Sequence, residues 1–248
     1  MRERAVIHVA GPRGAGKTTF IEAILGDTGA FVLAARCIRD DALRQSRETA
    51  PRAHPELRRY REAGATGAGL FAFPEADIGS DAFFVRRLME DYSQAAVLEG
   101  DNPLEFVDLA VFVAPAPAAG ETLFVRHKRD RAKQERAKAD AIERLLRRPD
   151  GVAPLPTEHW AVAGAYAGVE HAQLVVVNIH TEAERQRGEQ LVADVGRLRK
   201  DAALFDDILG SRGSKIPVTA VVANLVDPED RGRKKALARA RRALRARS

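Results

Sequence analysis

Cysteine is nearly absent from this chain, because Cys37 is the only one among 248 residues. A single thiol excludes an internal disulfide bond. No apolar run approaches the roughly 20 residues that a membrane-spanning helix requires. An apolar segment follows Met1–Arg4 almost at once, which leaves no room for a signal peptide. We therefore expect a cytoplasmic protein that does not enter a membrane.

The six histidines lack the spacing of a metal site. No two of them stand in a His-x-x-x-His or similar arrangement, which is the common pattern of a transition-metal site on one segment. They are His8, His54, His127, His159, His171 and His180. We interpret each as structural or solvent-exposed, and we predict no dedicated transition-metal site.

Positive charge is concentrated at the carboxyl end. Residues 231–248 hold nine Lys or Arg and no acid, so the net charge of +5 becomes −4 without them. This segment predicts a basic helix over about 228–247, with Asp227 as N-cap and Pro228 in the first helical position. Its apolar face is small and lacks aromatic residues, and no nucleic-acid motif accompanies it. We expect that face to pack on the protein, and we expect neither nucleic-acid nor membrane binding.

The most informative motif is a glycine-rich loop near the amino end. Residues 11–18 read Gly-Pro-Arg-Gly-Ala-Gly-Lys-Thr, which fits the phosphate-binding pattern G-x-x-x-x-G-K-[ST]. The apolar run Ala5 to Ala10 predicts a buried strand before the loop, and helical spacing of apolar residues follows it. Backbone N–H groups and a helix N-terminus then converge on phosphate. The motif therefore predicts a nucleoside triphosphate site.

Each loop position has a physical role in such a site. The glycines permit backbone angles closed to other residues, Lys17 places a cation on the β- and γ-phosphates, and the Thr18 hydroxyl is a Mg²⁺ ligand. Thr19 reaches the α-phosphate. Arg13 is either a cation for the transferring phosphoryl group or a solvent-exposed loop residue. The predicted nucleotide-binding residues of the loop are Gly11, Arg13, Gly14, Ala15, Gly16, Lys17, Thr18 and Thr19.

The rest of the chain alternates strands and helices. Most strand candidates are continuous apolar runs, which indicates burial on both faces of a parallel sheet. They are Arg4–Ala10, Phe31–Ala35, Leu70–Phe73, Ala95–Leu98, Leu109–Ala114, Gln173–Ile179 and Pro217–Ala223. Thr181 to Glu184 is a capping-box sequence, which predicts a helix through about Leu209. We predict a single α/β domain over residues 1–248, a doubly wound and mostly parallel sheet with helices on both faces.

One connection between two predicted strands is longer than a minimal version of that fold needs. Residues 115–170 are interpreted as an insertion, within which His127 to Arg148 predicts a highly charged helix. A lid or partner-facing role and a solvent-exposed surface helix both remain open for it.

A carboxylate at the tip of a neighbouring strand completes a magnesium–nucleotide site. The strand Ala95–Leu98 delivers Glu99 and Asp101 to the carboxyl edge of the sheet, and Gly100 lets the backbone approach a phosphate. We predict Glu99 as a Mg²⁺ ligand, directly or through water. Asp101 or Asp40 is predicted to orient the attacking water, and Lys17 completes the catalytic set.

These blocks resemble a known family. The loop, the strand ending Glu-Gly-Asp-Asn and the later Val-Val-Val-Asn are similar to the SIMIBI class of P-loop NTPases, and to its GTPases that mature urease and nickel hydrogenase. Leu57 to Ala65 resembles the accessory protein of molybdopterin guanine dinucleotide synthesis. The resemblance implies a Mg-nucleotide, slow hydrolysis, a homodimer around the nucleotide, and delivery of a metal or cofactor to a client protein.

The sequence departs from that family in the base-reading motif Asn-Lys-x-Asp. It falls on Asn178-Ile179-His180-Thr181, where only the asparagine remains. Asn178 is predicted to contact the nucleotide, but without the aspartate the choice between GTP and ATP stays open. The Cys-Pro-His nickel motif of the urease relatives is missing too, and Pro12 stands where some members place a lysine.

Three functions follow from these observations. The first is a Mg-dependent nucleoside triphosphatase that acts as a switch in metalloenzyme maturation or cofactor delivery, with GTP favoured over ATP. The second is an ATP-dependent small-molecule kinase or ligase of the same fold, with the insertion forming the acceptor pocket. The third is a nucleotide-gated regulator that binds nucleic acid through its basic tail.

Overall fold

The computed structural model describes most of the chain. The described residues are 5–26, 32–39, 47–48, 55–73, 95–100, 107–121, 124–126, 160–162, 166, 169, 172–209 and 219–245. Within these ranges lie four helices: α1 Lys17–Leu25, α2 Pro55–Glu62, α3 Glu182–Leu209 and α4 Arg231–Arg245. The strands of the described part are β1 Val6–Ala10, β2 Val32–Arg39, β3 Arg47–Glu48, β4 Gly67–Phe73, β5 Ala95–Glu99, β6 Leu109–Pro115, β7 Phe124–Arg126, β8 Trp160–Val162, β9 Leu174–Asn178 and β10 Thr219–Ala223.

Eight of these strands form one sheet in the order β10-β9-β6-β1-β5-β2-β4-β3. All neighbours pair in parallel except β3, which runs antiparallel to β4 at the edge. The strand before the glycine-rich loop, β1, lies between β5 and β6, so that Val9 is level with Glu99. The predicted mostly parallel α/β sheet is confirmed.

Helices cover both faces of this sheet, as predicted. On one face α1, α2 and α4 enclose a core, to which Ile7, Phe20, Tyr60, Val176 and Leu237 belong. On the other face α3 supplies Leu191 and Val195, which join a second cluster with Ala10, Phe112, Val175 and Val177. Consecutive residues of β9 therefore enter opposite cores, which is why its sequence is apolar throughout rather than alternating.

All seven predicted strands are present, although their ends differ. The strand predicted to end at Ala35 continues to Arg39, and the strand predicted to end at Leu98 includes Glu99. The short strand β3, the helix α2 and the separate antiparallel pair β7–β8 were not predicted. The β7–β8 pair lies within the 115–170 insertion, whereas the predicted helix from His127 to Arg148 lies outside the described residues.

The start predicted for α3 is confirmed. Glu184 N–H donates to Thr181 Oγ1 at 3.3 Å, and Thr181 N–H donates to Glu184 Oε2 at 3.2 Å, which completes a capping box. The helix then runs to Leu209.

The start predicted for α4 is wrong by three residues. Asp227 accepts from Glu229 N–H at 2.9 Å within a turn, and the helix begins only at Arg231. Its cap is Asp230, which accepts from Arg233 N–H at 2.8 Å and pairs with Arg185 at 2.9 Å. Asp230 is buried while Asp227 is exposed, and the ion pair with Arg185 compensates the burial of the Asp230 carboxylate.

The face predicted to bury in α4 does so. Ala236, Leu237, Ala240 and Leu244 are buried against the sheet. The opposite side exposes basic residues, including Lys235 and Arg242. Among the described helices, none is both long and apolar enough to cross a bilayer.

Candidate nucleotide and magnesium site

The glycine-rich loop connects β1 to α1 through three glycines with positive φ. The angles are +138° at Gly11, +80° at Gly14 and +100° at Gly16. A Cβ on Gly11 would lie 2.1 Å from the Val113 carbonyl oxygen, so only glycine lets the loop pass this close to β6. Gly16 is the N-cap of α1, and as a glycine it has no side chain to cap that helix start. Such a helix start favours a negatively charged group.

The Lys17 side chain folds back to the start of the loop. Its Nζ donates to the Gly11 carbonyl at 2.6 Å and to the Pro12 carbonyl at 3.1 Å, and the residue is 8% exposed. The loop therefore encloses this ammonium and holds its positive charge beside the Gly11 and Pro12 carbonyls. The structure thus places Lys17 inside the loop, and its contact with a polyphosphate stays a prediction.

Thr18 and Glu99 meet beside the loop. Thr18 Oγ1 donates to Glu99 Oε2 at 3.5 Å, and Glu99 is 4% exposed at the end of β5. A hydroxyl and a carboxylate are hard oxygen ligands of the kind that Mg²⁺ takes together with phosphate oxygens and water. Within the described part of the chain, no group of three or more His, Cys, Asp or Glu residues is arranged to hold a metal ion. The pair supplies two oxygen atoms of the kind that Mg²⁺ prefers.

Glu99 has a second partner, Tyr60. The Tyr60 hydroxyl, on α2, donates to the same Oε2 atom. The sequence did not single out Tyr60 as a site residue, since 39 residues separate it from Glu99. The only local signal was the helical spacing of Leu57 and Tyr60, which predicts burial but names no partner.

Asn178 ties the loop to two other segments. Its Nδ2 donates to the Ala15 carbonyl at 3.1 Å, and its Oδ1 accepts from Leu225 N–H at 3.2 Å. Asn224 shapes the next turn by accepting from Val226 and Asp227 N–H groups. The predicted nucleotide-contacting asparagine thus holds the loop against the ends of β9 and β10.

Replacing Asn178 tests this connection. Asn178→Ala leaves the Ala15 carbonyl and the Leu225 N–H without this partner, and each lost buried hydrogen bond costs about 1–3 kcal/mol. We expect the free energy of unfolding to fall by about 2–4 kcal/mol in urea titrations. Asn178→Asp keeps the acceptor for Leu225 but loses the donor to Ala15. An alanine variant as stable as the wild type would contradict this account.

A buried histidine lies beneath the site. His8 on β1 is 1% exposed, and a Cβ on Gly100 would lie 2.6 Å from its Nε2. Burial, and secondly the charge of Lys17, lower the pKa of His8 from 6.5 to about 3. The imidazole is therefore neutral in the folded protein, which agrees with its predicted structural role.

This histidine makes stability depend on pH. The unfolded chain binds a proton at His8 below about pH 6.5, while the folded chain does so only near pH 3. Stability is thus complete above pH 6.5 and falls as the pH drops, by about 2 kcal/mol between pH 6.5 and 4.5. Urea unfolding of His8→Gln should show a flatter dependence in that interval. Equal slopes for His8→Gln and the wild type would refute the assignment.

The remaining predicted residues are placed as follows. Arg13 is exposed at the tip of the loop, and Thr19 is half-buried in the first turn of α1. Cys37 belongs to β2. Asp40 and Asp101, predicted to orient the attacking water, lie outside the described residues.

Comparison with known proteins gives weak similarities. No protein-family model matches the sequence, and no curated protein matches it significantly. Among solved structures the fold is similar to HypB from Helicobacter pylori in complex with nickel, at 11% identity and a TM-score of 0.43, over 97% of this chain and 85% of that one. It is also similar to the hydrogenase maturation factor HypB from Archaeoglobus fulgidus, at 15% identity and a TM-score of 0.45, over 97% and 90%. No functional residue of this chain is assigned from these similarities.

Proposed function

We propose that this chain is a Mg-dependent P-loop nucleoside triphosphatase. One observation carries the proposal: the short segment from Gly11 to Thr18 gathers a helix start with glycine as its N-cap, the Lys17 ammonium and a hydroxyl facing Glu99. These groups provide what a magnesium–polyphosphate needs, namely N–H donors, a cation and oxygen ligands for the metal.

In this proposal, catalysis relies on positioning and charge neutralisation. Lys17 and the loop amides hold the phosphates, while Thr18 and Glu99 hold Mg²⁺, directly or through water. When bound, Mg²⁺ neutralises charge on the β- and γ-phosphate oxygens. Asp40 or Asp101 is proposed to orient the water that attacks the γ-phosphate.

The choice between guanine and adenine as the nucleobase is left to experiment. Both polar ends of the Asn178 side chain bond to protein backbone, and the motif lacks the aspartate that selects guanine in the relatives. GTP is supported by the sequence resemblance alone, and ATP is the alternative.

We further propose that the protein is a cytoplasmic switch in metalloenzyme maturation or cofactor delivery. In this role it forms a homodimer, and the homodimer acts on a client protein. The support is the resemblance of the loop, of the Glu-Gly strand end and of the segment Leu57–Ala65 to the maturation proteins. The proposed single domain carries the 115–170 insertion as the segment that meets either the client or an acceptor.

The decisive experiment identifies the nucleotide that co-purifies and then measures phosphate release from GTP and ATP with and without Mg²⁺. Mg-dependent release to water from either nucleotide supports the triphosphatase. Phosphate transferred to a component of a metabolite pool favours the kinase or ligase instead. Salt-sensitive binding of DNA or RNA that disappears on removal of residues 231–248 favours the nucleic-acid regulator. Binding of neither nucleotide would reject the proposal.

A further inference from the structure

We propose that Tyr60 is a positioning residue of the magnesium site, which holds the Glu99 carboxylate in the orientation that faces Thr18. The inference rests on the proposed function, because that function assigns Glu99 to the metal. The site then depends on three elements: the glycine-rich loop, the end of β5 and the helix α2.

The geometry joins three separate segments at one oxygen atom. The Tyr60 hydroxyl donates to Glu99 Oε2, and Thr18 Oγ1 reaches the same Oε2 at 3.5 Å. Tyr60 is fully buried and Glu99 nearly so. The two contacts span 39 and 81 residues of chain, so only the assembled fold creates them.

The hydroxyl does something that packing alone does not require. The Tyr60 ring lies in the core between the sheet and α1, where phenylalanine would fill the same volume. The terminal torsion of a glutamate is soft, with a broad and roughly two-fold preference. A donor fixed on one carboxylate oxygen restricts that torsion, so the carboxylate is oriented before a metal arrives. Preorganised ligands lose less freedom on binding.

The helix that carries Tyr60 is itself fastened to α1. Arg59, the preceding residue, donates from Nε and Nη2 to the two carboxylate oxygens of Glu22, at 2.6 and 2.9 Å. Since α1 begins with Lys17 and Thr18, this ion pair links α2 to the helix that follows the glycine-rich loop. Displacement of α2 would therefore move the donor that orients Glu99.

Tyr60→Phe tests the inference by the magnesium dependence of nucleotide binding. The binding of fluorescent GTP and ATP analogues is titrated with Mg²⁺ at fixed nucleotide concentration. We expect the variant to need about 3- to 10-fold more Mg²⁺ for half-maximal binding, which is the size of the net contribution of an ordinary intramolecular hydrogen bond. Its affinity in EDTA should equal that of the wild type, because the Tyr60 hydroxyl donates to Glu99, whose proposed partner is the metal.

A matched control is available in Tyr166, the other buried tyrosine of the described residues, which belongs to the core on the opposite face. Tyr166→Phe should leave the magnesium titration unchanged. Glu99→Gln should raise the Mg²⁺ concentration needed for half-maximal binding. In the Glu99→Gln background, Tyr60→Phe should increase that concentration by a smaller factor than it does in the wild type.

The outcomes separate this inference from the proposed function. If Tyr60→Phe keeps the wild-type magnesium dependence and only melts earlier, Tyr60 is a packing residue and the inference is wrong. If the wild type binds neither analogue at any Mg²⁺ concentration, the proposed function fails and the inference falls with it.

If Tyr60→Phe does not fold, fluorine NMR of protein labelled with 3-fluorotyrosine tests the inference instead. The chain has three tyrosines, so Tyr92→Phe and Tyr166→Phe assign the Tyr60 signal by elimination. That signal should shift in Glu99→Gln without nucleotide, and in the wild type on addition of Mg²⁺ to the nucleotide complex. A signal that moves in neither experiment would overturn the inference.

Discussion

Lys17→Ala is expected to abolish detectable binding of both GTP and ATP. The substitution removes the ammonium that the loop encloses, where it donates to the carbonyls of Gly11 and Pro12. A charge-assisted hydrogen bond contributes about 1.5–3 kcal/mol, and a β,γ-phosphate offers more than one such contact. We expect affinity to fall by at least about 100-fold, equivalent to roughly 2.7 kcal/mol, as measured by calorimetry with Mg²⁺ present.

The control for this prediction is Lys235→Ala. Lys235 is exposed on α4, so its removal subtracts the same charge without touching the loop. Circular dichroism checks that both variants keep their helices. If Lys17→Ala binds either nucleotide like the wild type, the site has been placed wrongly.

Gly11→Ala is expected to destabilise the whole protein, by about 3 kcal/mol or more. The new Cβ would lie 2.1 Å from the Val113 carbonyl oxygen and 3.1 Å from its carbon, and backbone in the middle of a sheet has little freedom to retreat. The φ of +138° adds strain for any residue with a Cβ. Urea unfolding with a far-ultraviolet signal measures the loss.

Gly14→Ala separates the clash from the backbone strain. Gly14 also has a positive φ, +80°, but its Cβ would meet no atom within 4 Å. The expected cost is therefore the strain alone, about 1–2 kcal/mol. Equal losses in the free energy of unfolding for Gly11→Ala and Gly14→Ala would show that the close approach of Gly11 to β6 is not what requires glycine there.

The sequence predicted the framework because the framework depends on local patterns. Continuous apolar runs such as Leu174–Asn178 predict strands buried on both faces, and Thr181 with Glu184 predicts a helix start, since each involves residues within a few positions of one another. The loop from Gly11 to Thr18 follows for the same reason. The start of α4 was misplaced because Asp227 and Asp230 both suit a helix N-cap by local sequence, whereas the ion pair between Asp230 and Arg185 forms only in the folded chain.

The sequence by itself determined the parallel α/β framework, the glycine-rich loop after β1 and the placement of Glu99 at the end of the neighbouring strand β5, while phosphate binding by that loop stays a prediction. Only the tertiary structure decided which distant groups complete the site: Tyr60 on Glu99, Asn178 on Ala15, and His8 beneath Gly100. The physical reason is that these contacts join segments up to 163 residues apart. Strand order brings them together, and neither hydrophobic periodicity nor capping chemistry encodes strand order.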